Sequence, residues 1–178
     1  MWWKRVCGLS GRRMKERIFC NFCGNRLGKG VVGGKERQVC GTCGRVYYEN
    51  PLPVVSILLS NEKGELLLVK RAEEPAKGMW CFPIGFAECG ESIEEAALRE
   101  LKEESGVEGL IVGLLDVCSD QTGMYGEVVV VTFRAEKVGG TENPGDDACD
   151  VGYFSLADLP QLAFSSQEKA LEKFLAST

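Results

Sequence analysis

The chain of 178 residues contains no histidine, which excludes imidazole as a catalytic base and as a metal ligand. It also lacks any apolar run near the roughly 20 residues that a membrane span requires, so we expect no membrane partner. The opening residues MWWKRV lack the apolar segment of a signal peptide, and we therefore expect a cytoplasmic protein. With 44% apolar residues, the chain can bury one core of about 130 residues beside a small module.

Two matched cysteine pairs lie near the start of the chain. Residues 20–24 (CNFCG) and 40–44 (CGTCG) enclose sixteen residues between their cysteines, a spacing that predicts a zinc ribbon. The predicted zinc ligands are Cys20, Cys23, Cys40 and Cys43. Four thiolates leave no position for water, so we expect the ion to stabilise the fold rather than act in catalysis. Two disulfides or a redox pair are the alternative, which the matched duplication disfavours.

The cysteine pairs divide the chain into three segments. We predict a disordered extension over residues 1–17, a zinc ribbon over 18–50 and an α/β domain over 51–178. Residues 1–50 hold eleven Lys and Arg against three acidic residues, whereas residues 51–178 hold ten against twenty-three. A basic ribbon is a candidate for steering anionic substrates or for touching nucleic acid. Because its basic residues are scattered and lack an aromatic platform, we do not predict a nucleic-acid partner.

The larger segment alternates between strand and helix patterns. Residues 54–60 and 65–71 are strand-like and are joined by the turn sequence NEKG, which predicts a hairpin. Further strands are predicted near residues 110–117, 127–137 and 150–154, the second buried on both faces because of its run VVVVTF. A short helix and a C-terminal helix are expected to follow, the latter with Ser165 and Glu168 as a capping box.

The stretch 85–107 (GFAECGESIEEAALRELKEESGV) carries the strongest pattern in the chain. Ser92 and Glu95 form a capping box and Gly106 lies where a helix C-terminal glycine belongs, which predicts a helix over Ile93–Ser105. At 3.6 residues per turn, three carboxylates fall on one side of this helix. They belong to Glu100, Glu103 and Glu104.

These carboxylates are unfavourably placed for a purely structural helix. Glu100 and Glu104 repel each other at i,i+4, and all three lie toward the negative end of the helix dipole, at a cost of about 1 kcal/mol or less for each effect. A bound cation reverses both penalties. Hard oxygen ligands of this kind suit Mg²⁺ or Mn²⁺, which are commonly shared with substrate phosphates.

The stretch resembles the box of the Nudix hydrolases, Gly-x5-Glu-x7-Arg-Glu-U-x-Glu-Glu-x-Gly-U, in which U is aliphatic. Every specified position is matched: Gly85, Glu91, Arg99, Glu100, Leu101, Glu103, Glu104, Gly106 and Val107. Residues 80–86 (WCFPIGF) and 48–51 (YENP) are similar to further segments of Nudix proteins that carry a zinc ribbon. The resemblance implies a Nudix α/β/α sandwich with a mixed sheet, preceded by the ribbon, and a possible homodimer.

The resemblance also implies roles for individual residues. Glu100, Glu103 and Glu104 hold Mg²⁺ or Mn²⁺, with a backbone carbonyl near Ile84 or Gly85 as a further ligand. Arg99 orients the glutamates through charge-assisted hydrogen bonds, together with Glu91. Without histidine, a carboxylate must take the proton of the attacking water, and Glu103 is our choice. Candidates outside the box are Glu127, Asp146 and Asp147.

The substrate class follows less directly. NADH pyrophosphatases of this kind carry the stretch SQPWPFPxS after the box, whereas residues 117–125 here read VCSDQTGMY. The nearer likeness is to enzymes acting on ADP-ribose or FAD, which predicts metal-dependent hydrolysis of the pyrophosphate in a nucleoside diphosphate linked to another moiety. NADH, NAD or diadenosine polyphosphates are alternative substrates, and a non-catalytic ADP-ribose sensor is an alternative function. Candidate substrate contacts are Arg71, Trp80, Phe82 and Tyr125, with core packing as the other interpretation of the aromatic residues.

Overall fold

The computed structural model describes residues 17–123 and 125–177, which divide into two compact units. The first unit contains the chain up to Pro51 and the turn Gly123–Gly126, and the second contains Leu52–Thr122 and Glu127–Thr178. Most of the predicted N-terminal extension, residues 1–16, lies outside the described residues. Among the described helices, none is long and apolar enough to cross a membrane.

The first unit is built on a three-stranded antiparallel sheet in the order β1-β2-β3. Its strands are β1 (Gly28–Val32), β2 (Lys35–Val39) and β3 (Val46–Tyr47). Gly33 and Gly34 join the first two strands with φ values of 60° and 76°, a conformation that glycine adopts without a steric penalty. The sequence patterns did not single out these short strands.

The second unit combines a mixed sheet with two helices, as the family resemblance predicted. Its elements are β4 (Leu52–Ser60), β5 (Leu66–Arg71), β6 (Trp80–Cys81), β7 (Ile84–Phe86), α1 (Ile93–Ser105), β8 (Val107–Thr122), β9 (Gly126–Gly140), β10 (Ala148–Phe154) and α2 (Ser165–Ala176). The main sheet has the order β10-β5-β4-β9-β8. β4 and β9 run parallel, whereas β10 with β5 and β4 with β5 are antiparallel.

The core lies on both faces of the central strands. Alternate residues of β4 enter different clusters: Ile57 and Leu59 pack with α1, whereas Leu58 packs in a second cluster that contains Phe174 of α2. Because side chains alternate across a strand, this division places the two helices on opposite faces of the sheet. Both central strands are therefore apolar along most of their length.

The sheet opens between β4 and β5. These strands pair at Ser60↔Leu66, beside their hairpin turn. Farther along, β5 pairs with β6 and β4 pairs with β7. The segment from β6 to β7 therefore lies in the gap between two strands that are neighbours elsewhere in the sheet, and it leads directly into the box.

The hairpin prediction is confirmed. The backbone N–H of Asn61 donates to the Glu65 carbonyl at 3.0 Å, and the Gly64 N–H donates to the Asn61 carbonyl at 2.9 Å. The Asn61 side-chain oxygen also accepts from the N–H groups of Lys63 and Glu65. An asparagine that bonds its own following backbone is a local signal, which explains why the sequence was sufficient here.

Two local predictions near the C-terminus are wrong. Residues 155–164 form turns without a helix, held in part by the Asp158 N–H, which donates to the Ser155 carbonyl. The capping box of Ser165 and Glu168 is absent, because α2 begins at Ser165 and its N-cap is Phe164, with no side-chain capping bond. The Ser165 hydroxyl instead lies 3.3 Å from Asp120 Oδ2, so a distant partner replaces the local one.

Candidate active site and zinc site

Helix α1 begins and ends as its sequence predicts. The Glu95 N–H donates to Ser92 Oγ at 3.1 Å, and the Ser92 N–H donates to Glu95 Oε2 at 2.7 Å. Gly106 closes the helix with φ of 72°, in the left-handed region that favours glycine. Ala96, Ala97 and Leu101 face the core, which leaves the box carboxylates on the other sides of the helix.

The Arg99 guanidinium makes five hydrogen bonds within the box. Its Nε and Nη2 donate to the two oxygens of Glu91 at 3.0 and 2.8 Å. Its Nη1 donates to Glu100 Oε1 at 2.7 Å and to Glu103 Oε2 at 3.0 Å, and Nη2 also donates to the Phe86 carbonyl at 3.0 Å. These hydrogen bonds lower the pKa of Glu91 to about 2. Arg99 therefore gathers the charged groups around one planar donor.

Glu104 is the most buried carboxylate of the box, with 4% of the residue exposed. Its Oε2 accepts a hydrogen bond of 2.9 Å from the Ile84 N–H. Burial raises its pKa to about 8, the nearby charges of Glu100 and Asp147 add to the rise, and the positive charge of Arg71 opposes it. Ionising Glu104 therefore puts a negative charge into a buried place where the protein alone does not compensate it.

Gly85 lies directly against the carboxylate of Glu100. A Cβ at Gly85 would be 2.1 Å from Glu100 Cδ and 2.2 Å from Oε1, closer than any real contact of this type. Burial raises the pKa of Glu100, while its hydrogen bond with Arg99 opposes the rise. Glycine is required at position 85 because the carboxylate occupies the space of a side chain.

The loop after β9 covers the C-terminal end of α1. The N–H groups of Asn143 and Gly145 donate to the carbonyls of Ser105 and Glu104 at 2.8 and 3.1 Å. The next two residues of the chain, Asp146 and Asp147, act on the box through their negative charges. The charge of Asp146 raises the pKa of Glu100, and that of Asp147 raises the pKa of Glu104. Two of the three base candidates outside the box thus have their charges near it. The third, Glu127, lies exposed at the start of β9.

The chemistry of the box carboxylates fits a divalent cation. All are hard oxygen donors, and the pKa values of Glu100 and Glu104 are raised by burial, so a cation would relieve the cost of ionising them. In the part of the chain that the structure describes, their ligand atoms do not form a close group. Glu100 and Glu103 bond Arg99, whereas Glu104 bonds the Ile84 N–H. Among the described residues, close grouping of three or more such ligand atoms is found at the cysteines.

The four cysteines of the ribbon form that group. Their Sγ atoms all lie within 4.8 Å of one another, and all four are free thiols rather than disulfides. The two pairs fold alike, since the N–H of Gly24 donates to the Cys20 carbonyl at 2.9 Å and that of Gly44 to the Cys40 carbonyl at 2.8 Å. Four converging thiols are the donor set of a structural zinc site.

Tyr47 supports one of these cysteines. Its hydroxyl donates to Cys20 Sγ at 3.0 Å, and this bond is the main reason that the pKa of Cys20 falls to about 6. A thiol that ionises readily binds metal more readily. The prediction of a ribbon did not include Tyr47, whose signal was too weak to find without the fold.

The predicted substrate contacts are placed differently from one another. Arg71 ends β5, donates from Nε to the Pro75 carbonyl at 2.6 Å and stacks on Phe164 at 5.2 Å. Trp80 is half-buried and meets Phe154 edge-on at 4.8 Å. Phe82 is fully buried, so its ring packs in the core and the proposed stacking on a base is wrong.

The fourth predicted contact, Tyr125, belongs to the turn between β8 and β9. That turn is part of the first unit, so its role stays a prediction. The sequence did not reveal the roles of two further groups: the Ile84 N–H, which bonds Glu104, and the side chain of Gln167, which bonds Phe82. For Ile84 the family resemblance implied the carbonyl as a cation ligand and assigned no role to the N–H. Gln167 belongs to none of the motifs found in the sequence.

Comparison with known proteins agrees with the geometry. The NUDIX domain model matches residues 50–174. The ADP-ribose pyrophosphatase of Methanocaldococcus jannaschii is 33% identical over 171 residues, which cover 91% of this chain and 97% of that protein. The NAD-capped RNA hydrolase NudC of Pseudomonas aeruginosa is 33% identical over 150 residues, which cover 83% of this chain and 51% of that protein. This chain therefore spans about half the length of NudC.

Solved structures agree as well. The crystal structure of a NUDIX hydrolase from Nitrosomonas europaea has a TM-score of 0.80 and 28% identity, covering 90% of this chain and 92% of that one. The NUDIX domain of Shewanella oneidensis NrtR, complexed with ADP ribose, has a TM-score of 0.65 and 26% identity, covering 74% and 91%. With the complete box, the ordered Arg99 contacts and these matches together, the chain belongs to the Nudix hydrolase family.

Proposed function

We propose that the protein hydrolyses the pyrophosphate bond of a nucleoside diphosphate linked to another moiety, with ADP-ribose or FAD as its substrate. The observation that carries this proposal is the ordered box, in which Arg99 hydrogen-bonds Glu91, Glu100 and Glu103 while Glu104 accepts from the Ile84 N–H. The similarity to a protein named ADP-ribose pyrophosphatase, over nearly the full length of both chains, supports the choice of substrate.

The cation site is proposed to consist of Glu100, Glu103 and Glu104, with Mg²⁺ or Mn²⁺ as its ion. When bound, such an ion neutralises phosphate oxygens and lowers the pKa of a coordinated water. A carbonyl of Ile84 or Gly85 is proposed as a further ligand. The four ribbon cysteines are proposed to hold Zn²⁺ with a structural role.

The side chains around the cation site have separate roles in this proposal. Arg99 positions the glutamates, since it is bonded on all sides to protein groups. Glu103 is the proposed base: Arg99 holds its Oε2, and its side chain is 47% exposed, so water reaches the carboxylate and passes its proton there. Arg71, whose charge acts on Glu104, is proposed to meet a substrate phosphate.

A second candidate function is binding without turnover. The NUDIX domain of NrtR was crystallised with ADP ribose, which supports an ADP-ribose-type ligand for either function. NAD-capped RNA, named for NudC, is a weaker candidate, because residues 117–125 lack the stretch SQPWPFPxS and the match covers half of that protein. The intact set of box carboxylates favours hydrolysis over sensing.

The test is hydrolysis of ADP-ribose, FAD, NADH and diadenosine polyphosphates with Mg²⁺ or Mn²⁺, by wild type, Glu104→Gln and Glu94→Gln. Glu94 is a matched control, since it is exposed in the first turn of the same helix. We expect turnover that Glu104→Gln abolishes and Glu94→Gln retains. Unchanged turnover in Glu104→Gln would refute the cation site, and tight binding of ADP-ribose without turnover of any compound would establish the sensor.

A further inference from the structure

The side chain of Gln167, on the first turn of α2, is fully buried. Its amide oxygen accepts one hydrogen bond and its amide nitrogen donates two. Its Oε1 accepts from the Phe82 N–H at 3.0 Å, and its Nε2 donates to the Phe82 carbonyl at 3.0 Å. The second Nε2 hydrogen is directed to Ser56 Oγ, also at 3.0 Å. A side chain with 0% exposure thus connects α2 to β4 and to the segment between β6 and β7.

Phe82 needs such a partner because of its place in the sheet. The preceding residues pair with β5, through Val69↔Cys81. Pairing with β4 begins two residues later, at Ser56↔Ile84. Phe82 lies between the part of the chain that pairs with β5 and the part that pairs with β4. Its backbone N–H and carbonyl therefore need partners other than these two strands. The Gln167 amide supplies both bonds, as the backbone of a neighbouring strand would.

Residues 84–86 contact three side chains of the box. The Ile84 N–H donates to Glu104, the Gly85 backbone lies against the Glu100 carboxylate, and the Phe86 carbonyl accepts from Arg99. The bond between Gln167 and Ser56 adds a second restraint, because Ser56 pairs directly with Ile84. The position of Gln167 therefore determines where this short segment meets the carboxylates.

We propose that Gln167 is a positioning residue for the divalent-cation site, acting through the backbone of residues 82–86. The inference rests on the proposed function for the cation site and is independent of the substrate. An amide is required, because it alone among common side chains presents one acceptor and two donors in this arrangement. Methionine has nearly the same shape but leaves the buried N–H and carbonyl of Phe82 unpaired.

The first test is Mn²⁺ titration of the full chain, followed by electron paramagnetic resonance, for wild type and Gln167→Met. We expect Mn²⁺ affinity to fall by about tenfold, the lower end of the effect seen for groups that orient metal ligands. In kinetics, the Mn²⁺ concentration for half-maximal activity rises by the same factor, whereas kcat at saturating Mn²⁺ is largely retained. A general loss of folding would instead lower kcat at saturating Mn²⁺ as well.

Phe174→Leu is the control for α2. It truncates a buried ring in the apolar cluster that also contains Phe82, but it removes no hydrogen bond of the Phe82 backbone. It should therefore lower stability while Mn²⁺ affinity stays at the wild-type value. The proposal is overturned if Gln167→Met binds Mn²⁺ as wild type does, or if Phe174→Leu weakens binding as strongly.

Amide hydrogen exchange gives a second test that needs no variant. In the wild-type chain we expect the amides of Phe82 and Ile84 to exchange as slowly as those of β5, and fast exchange at Phe82 would overturn the proposal even if Gln167→Met fails to fold. A wild type that binds Mn²⁺ but hydrolyses none of the compounds contradicts the proposed substrate and leaves this inference standing. A wild type that binds no Mn²⁺ contradicts the cation site and this inference together.

Discussion

Replacing Gly85 with alanine adds one methyl group at the first residue of the box. The backbone there lies outside the left-handed region, so alanine introduces no backbone strain. Its Cβ would lie 2.1 Å from Glu100 Cδ, whereas ordinary contacts begin at 3.4 Å. The carboxylate of Glu100 must therefore move by about 1.3 Å, the difference between these two distances.

This movement affects activity more than stability. Moving the carboxylate breaks its bond with Arg99, a pair whose side chains are 27% and 13% exposed, and we expect a cost of about 1 kcal/mol for such a partly exposed pair. A catalytic group displaced by about 1 Å loses on the order of 100-fold in rate. Gly85→Ala should therefore fold with little loss of stability and lose about 100-fold in kcat/KM.

The assay combines urea denaturation with kcat/KM for ADP-ribose in Mn²⁺. Gly113→Ala is the control, because a Cβ at Gly113 meets nothing within 4 Å and the residue lies on β8 rather than in the box. In a Glu100→Ala background, Gly85→Ala should have no further effect, since the clashing group is gone. Activity of Gly85→Ala equal to that of Gly113→Ala, or additive losses in the double variant, would refute the reasoning.

The remaining predictions concern charge and metal. Because burial raises the pKa of Glu104 to about 8, above its ordinary value of 4.5, the folded chain retains a proton that the unfolded chain releases between these values. The free energy of unfolding without added Mg²⁺ or Mn²⁺ should therefore fall as the pH rises from 4.5 to about 8. Urea denaturation at several pH values measures this fall, and Glu104→Gln should remove the part of it that comes from this group. Arg99→Lys should lower kcat/KM by roughly 10- to 100-fold with an unchanged circular dichroism spectrum, because one ammonium cannot replace a planar donor with five bonds; activity near wild type would contradict this role. Cys43→Ser should reduce the zinc content measured by mass spectrometry and abolish amide protection in β1–β3 while the second unit keeps its own, and one zinc retained per chain would contradict the four-cysteine site.

Features with a local cause were predictable from the sequence. The bounds of α1 follow from Ser92, Glu95 and Gly106, whose contacts span three or four residues. The same is true of the Asn61 turn and of the two cysteine loops that end in glycine, residues 20–24 and 40–44. The mixed sheet was predicted from the family resemblance, and the strand patterns located several of its strands. In the helix ends, the Asn61 turn and the cysteine loops, the hydrogen bonds join groups two to four residues apart, so the sequence signal is local.

Long strands were predicted too short. β8 and β9 were expected over residues 110–117 and 127–137, but they run from Val107 to Thr122 and from Gly126 to Gly140. The residues added at the ends, such as 118–122 (CSDQT) and 138–140 (VGG), lack the alternating apolar pattern on which strand prediction depends. The strands continue through them because both belong to the sheet, in the order β4-β9-β8.

The box, the cysteine site and the class of chemistry were predictable without a structure, because they depend on residue types at short, fixed spacing. Contacts between distant parts of the chain bury Phe82 in the core and bring the charges of Asp146 and Asp147 near the box carboxylates. They also place the Gln167 side chain against the Phe82 backbone. The bonds of Gln167 join residues 85 and 111 positions apart. These contacts form because β4 and β5 separate beyond their hairpin and the segment from β6 to β7 lies between them. No local sequence pattern predicts this separation.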